Sequence, residues 1–207
     1  MSQTSFRTML AAALAIGLAG CDSPRAEVAQ QGDIDGAVHL CSSCHGITGR
    51  SVSPDFPILA AQQADYLENQ LHAFRDHSRA DPHAHTYMWG MAAHLDDRQI
   101  AGLAAYFARQ PAVRGTPAGE QAATLAKAIF TGGIEDRSVP ACYACHGDKA
   151  EGQGAVPRLA GQHPDYLAEQ LRLFRSNARA NETMHDNALN LTEPEIEALA
   201  AYLGSLD

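Results

Sequence analysis

Two stretches of this chain are copies of one another. Sliding the sequence by 100 residues lays positions 57–75 over 157–175, with eleven of nineteen residues identical. A slide of 96 lays Leu95, Ile100, Leu103 and Ala104-Ala105-Tyr106 over Leu191, Ile196, Leu199 and Ala200-Ala201-Tyr202. A solenoid needs three or more repeats to bury a continuous core, so two copies mark a single folding unit used twice. Each copy also carries one Cys-x-x-Cys-His pentapeptide, Cys41-Ser42-Ser43-Cys44-His45 and Cys142-Tyr143-Ala144-Cys145-His146.

That spelling reads as a site for c-type haem attachment. Two thiols three residues apart add across the two vinyl groups of a porphyrin, and the adjoining histidine lies beneath the iron as its proximal ligand. The reading is two covalently bound haem c groups, through Cys41 and Cys44 and through Cys142 and Cys145, with His45 and His146 on the irons. A zinc reading of the same cysteines fails on spacing. Zinc ribbons separate their pairs by about 15–20 residues, and here nearly a whole folding unit intervenes.

Around each motif the pattern repeats. An apolar-periodic stretch precedes it, clearest over residues 122–130, and a Gly/Pro-rich loop follows it. A helix comes next, with apolar positions at Tyr66, Leu67, Leu71 and Phe74. A polar loop leads into a last helix starting near Asp96-Asp97 or Thr192-Glu193, where acidic residues suit a helix N-terminus. No alternating β-branched run appears, so the fold class is all-α. Residues 110–117, which include two prolines and a glycine, form a linker between units at 32–109 and 118–207. Units of this size have little apolar area of their own, and a covalently held macrocycle supplies more.

The fifth cysteine, Cys21, belongs to neither motif. Arg7 and an apolar run over residues 9–19 precede it, the layout of a secretory signal too short to span a membrane. The ending Leu18-Ala19-Gly20-Cys21 resembles the bacterial lipobox. Residues 1–20 are therefore expected to be a lipoprotein signal, Cys21 a lipid anchor and 21–31 a tether. The anchor implies the periplasmic face of the inner membrane, and Asp22 resembles the residue that retains lipoproteins there. Formal charge is −9 at pH 7, which argues against nucleic acid and against docking to anionic lipid by charge. It favours redox protein partners with basic patches.

A second axial position remains on each iron. Methionine there raises the potential and makes a carrier, whereas an open site permits ligand chemistry. Beyond residue 20 the methionines are Met88, Met91 and Met184. Met184 is the one candidate in the second unit, and the slide of 96 places Met88 on it. Met91 falls on Asn187 and is expected in the core. His85 and His185 are the competing ligands and would give bis-histidine haems of lower potential.

Three sets of residues carry a family resemblance: 56–62 with 156–162, Tyr66-Leu67…Gln70-Leu71…Phe74-Arg75 with its copy, and the two methionine loops. On these the chain resembles the cytochrome c4 family, two class I cytochrome c domains in tandem. The resemblance implies His/Met haems across a pseudo-twofold interface, and Pro57 and Pro157 offering carbonyls to the proximal imidazoles. It implies electron transfer, without enzymatic turnover, from a quinol-oxidising complex to a terminal oxidase. Arg75 and Arg175 are candidates to bind propionates at a buried inter-unit surface, with a solvated arginine as the equal alternative. The same residues also suit the electron-accepting subunit of a dehydrogenase, such as a flavocytochrome sulfide dehydrogenase. A dihaem peroxidase would need an iron site that can open.

Overall fold

The computed structural model describes residues 24–207, with side chains from residue 33. The expected signal segment and Cys21 lie outside the described residues. In the first half, α1 (Pro24–His45) ends on the haem motif and a loop leads to α2 (Ala64–Arg75). A five-residue π-helix (Ala84–Met88) runs into α3 (Trp89–Ala92), and α4 (Asp97–Ala108) closes the unit. The second half holds α5 (Glu120–Gly132), a 3-10 turn (Glu135–Arg137), α6 (Tyr143–His146), α7 (Pro164–Arg175), α8 (Glu182–Ala188) and α9 (Glu193–Gly204). Among the described residues there is no strand, only isolated bridges at Ile134–Val139 and Gln153–Val156.

The positions that repeat in sequence are the ones that build the core. Leu67, Phe74, Ile100, Leu103 and Ala104 are buried, and so are Leu167, Phe174, Ile196, Leu199 and Ala200. In the first half α4 packs on α1 and α2; in the second α9 packs on α5 and α7. Fully burying a leucine or phenylalanine contributes about 2 kcal/mol, so each copy keeps the residues that hold its last helix. Both last helices start on a capping box, Asp96 with Gln99 and Thr192 with Glu195, which satisfies N–H groups that the first turn leaves unpaired.

Arg75 and Arg175 do not reach an inter-unit surface. Arg75 donates from Nη1 to Leu95 O at 3.1 Å and to Asp97 at 2.8 Å. Arg175 donates to Leu191 O at 3.0 Å and to Glu193 at 2.9 Å. Each arginine ties the end of one helix to the start of the last helix in its own half. The linker also folds back, with Thr116 N donating to Gly204 O at 3.0 Å and Gly115 N to Asp207 Oδ1 at 3.0 Å.

Candidate functional site

The first haem motif is the last turn of α1, and the second spans the start and length of α6. Helical residues at i, i+3 and i+4 share a face, which puts both thiols and the histidine of each motif on one side. Gly46 and Gly147 follow the histidines with φ of +77° and +84°. This left-handed turn ends each helix where a side chain would be strained. At Gly46 an added Cβ would also lie 2.5 Å from Arg50 O.

Both histidines are buried, each 7% exposed. His45 Nδ1 donates to Pro57 O at 2.9 Å and His146 Nδ1 to Pro157 O at 3.0 Å. A ring that donates from Nδ1 carries its free lone pair on Nε2, the nitrogen a metal takes. Burial pushes both imidazoles below their ordinary pKa, while the proline carbonyls pull the other way. The net effect keeps the rings neutral at pH 7, as coordination requires. None of the four motif cysteines is paired in a disulfide, so each thiol is available for a thioether link. Before either is joined to haem, burial raises the Cys41 thiol and pushes Cys142 up to about 11.

Met88 packs with Trp89 and Leu95 against Phe74, Ala84 and Ala92. Met184 packs against the large core cluster of the second half. Met91, expected in the core, is instead 48% exposed. It lies three residues beyond Met88, on α3, a four-residue helix in which Ala92 is the buried residue. His185 Nδ1 is tied to Phe174 O at 2.8 Å, and His85 is exposed, edge-on to Trp89 at 4.8 Å.

Sequence reasoning missed the polar cluster between the halves. Gln70 Oε1 accepts from Arg79 Nη1 at 2.7 Å and from Arg179 Nη2 at 2.8 Å. Gln170 Oε1 accepts from Arg179 Nη1 at 2.6 Å and from Arg79 Nη2 at 3.2 Å. Each guanidinium lies over a phenylalanine of its own half, Phe74 at 4.7 Å and Phe174 at 4.6 Å. Asp81, fully buried, pairs with Arg79 at 2.7 Å; the slide of 100 puts Asn181 opposite it. Burial works to raise the Tyr66 phenol, but Arg179 and Arg79 outweigh it and hold it below the usual tyrosine range. Close by in sequence to His146's carbonyl partner, Arg158 has a buried Nη2 with no hydrogen-bond partner, a donor that a porphyrin carboxylate would satisfy. The signal was present: Gln70, Arg79 and their copies repeat although they are polar.

Two segments of the chain, residues 37–110 and 123–207, match the family model of cytochrome c. The cytochrome c4 of Pseudomonas aeruginosa is 35% identical over 199 residues, 93% of this chain and 95% of that protein. A solved structure of cytochrome c4 from Acidithiobacillus ferrooxidans superposes with a TM-score of 0.76 at 43% identity, covering 80% of this chain and 98% of that one. A Stutzerimonas stutzeri protein named thiosulfate dehydrogenase electron acceptor is 31% identical over 202 residues, 94% of this chain and 92% of that protein. Buried neutral histidines, thiols on the same helix faces and the buried, unpartnered Nη2 of Arg158 fit two covalently held haem c groups. Two such sites on two copies of one helical unit, matched in sequence and in structure, place this chain in the cytochrome c family, as a dihaem electron carrier of the cytochrome c4 group.

Proposed function

We propose that this cytochrome is held to the periplasmic face of a membrane by a lipidated Cys21. There it passes electrons from a quinol-oxidising complex towards a terminal oxidase or another acceptor. His45 and Met88 are the axial ligands of one haem, with Cys41 and Cys44 as its thioether links. His146 and Met184 serve the other, with Cys142 and Cys145. The units are 32–109 and 118–207, joined by 110–117 and preceded by a signal at 1–20 and a tether at 21–31. When bound, each haem iron takes up and releases one electron.

The residues around the sites act by fixing ligands. Pro57 and Pro157 hold the imidazole planes and their tautomer, so little has to reorganise when charge arrives. The matched histidine-to-proline geometry in both halves is the observation that carries this reading. The slide of 96 pairs Met184 with Met88 and His185 with Trp89, which favours Met184 over His185. Among the described residues no helix is long and apolar enough to cross a membrane, and the proposed attachment is through Cys21. Cell fractionation tests this: the chain should partition with membranes and carry acyl mass, and Cys21→Ser should abolish both. Wild-type protein free of lipid would contradict the tether.

A second reading is favoured by one finding, the similarity to a protein named thiosulfate dehydrogenase electron acceptor. In that role the chain would take electrons directly from a dehydrogenase. Rapid mixing of the oxidised cytochrome with a thiosulfate dehydrogenase and thiosulfate distinguishes the two: fast reduction of both haems supports this role, and none supports the quinol branch.

A further inference from the structure

Gln62 and Gln162 occupy equivalent places in the two copies, and each reaches into the opposite half. Gln162 Oε1 accepts the Ile58 N–H at 2.8 Å while its Nε2 donates to Ile58 O at 2.9 Å. Gln62 Oε1 accepts the Arg158 N–H at 2.7 Å while its Nε2 donates to Arg158 O at 2.9 Å. Both side chains are buried. Each partner residue presents one backbone donor and one acceptor, so the orientation of each amide is fixed.

The Ile58 N–H belongs to the same planar peptide unit as the Pro57 carbonyl. That unit is therefore held at both ends, with its N–H on Gln162 and its C=O on His45 Nδ1 at 2.9 Å. The Pro157–Arg158 unit is held in the same way between Gln62 and His146. Hydrogen bonds in series polarise one another. An N–H that is bound draws electron density onto its carbonyl, which becomes the stronger acceptor. A stronger acceptor makes the proximal imidazole more basic, and a more basic ligand favours oxidised iron.

We propose that Gln62 and Gln162 are crossed positioning residues, each setting the reduction potential of the haem in the half to which it does not belong. The two halves are thereby coupled through peptide units as well as through space, and docking between them is part of each redox site. This rests on His45 and His146 as iron ligands.

The test is a potentiometric titration of the full-length holoprotein followed by NMR, with haem-methyl resonances assigned to each half. In Gln162→Leu the oxidised-to-reduced ratio of the His45 haem, at a fixed applied potential, should fall about threefold. The His146 haem should move less. Gln62→Leu should give the mirror result. The isosteric Gln162→Met and Gln62→Met repeat the measurement with packing preserved. No shift, equal shifts, or a larger shift in the mutated half's own haem would overturn the proposal, as would loss of both haems from every variant. The wild-type spectrum checks the ligands separately. Iron not bound by His45 or His146 would sink that reading, whereas two normal haems without the crossed shift would sink the proposal alone.

Discussion

The two methionine loops start from the same repeat and solve it differently. Asn181 lies three residues before Met184 and accepts that residue's own N–H at 2.9 Å, starting the regular helix α8. Asp81 lies seven residues before Met88, four more than in the second half. The extra length goes into the π-helix Ala84–Met88. A wider turn of this kind absorbs inserted residues without breaking a helix and is frequent at functional sites. The first loop is then braced by Trp89, whose Nε1 donates to Arg79 O at 2.8 Å and whose indole stacks on His77 at 4.1 Å. The surroundings take up the difference in chain length, and the residues after Met88 keep the register of the second copy.

The haem motifs differ as well. In the first half α1 runs unbroken into His45. In the second, α5 stops at Gly133, with φ of +70°, and an extra loop precedes α6. That loop is pinned by Arg137, which pairs with Glu195 and donates to Asn190 O at 3.1 Å.

The largest expected effect comes from breaking the equivalence of the methionines. Met88→Ala and Met184→Ala should each remove about half of the far-red sulfur-to-iron absorption of the oxidised protein and lower one potential. Next is the unequal charge between the loops. Asp81→Asn makes the first loop resemble the second and leaves two buried arginines without a carboxylate, at a cost of about 3 kcal/mol at pH 7. Burial raises the Asp81 carboxyl, but Arg79 outweighs it and holds the group below its ordinary range. Its stabilisation is therefore present above the ordinary carboxylate pKa and is lost as pH falls through the lowered value. Wild type and variant should converge in acid melts. Asn181→Asp is the reciprocal test and should partly restore an Asp81→Asn protein.

Trp89→Leu should destabilise the first half alone, by about 1–2 kcal/mol, since one hydrogen bond and one ring stack disappear. Hydrogen exchange at residues 84–92 would show it. The smallest effect belongs to the second half. Glu195→Gln should lower the melting temperature at pH 7 by a few degrees. Arg137 holds the Glu195 carboxyl down at about 2 against the opposing effect of burial. This difference should fade as pH falls below the usual carboxylate range towards 2.

The helices were legible because their apolar period and capping residues act locally. Leu67, Phe74 and Leu103 repeat with their spacing intact, and Asp96 and Thr192 mark the starts of the last helices. Insertion leaves the register after it unchanged, which is why Met88 rather than Met91 is the residue matched to Met184. The π-helix was not, since no residue pattern specifies it. Nor was the polar seam. Gln62, Gln70 and Arg79 resemble solvated surface residues within one copy, and their partners lie roughly a hundred positions away. Arg75 drew notice by being identical in both copies, yet its role is intra-domain.

Electron transfer here rests on two complete His/Met haem sites on one duplicated unit. A spectroscopic redox titration of the intact holoprotein tests it most directly. Two one-electron steps are expected, with far-red sulfur-to-iron absorption amounting to two haems when both irons are oxidised. A single such haem, or a haem with bis-histidine or open-site spectra, would contradict it.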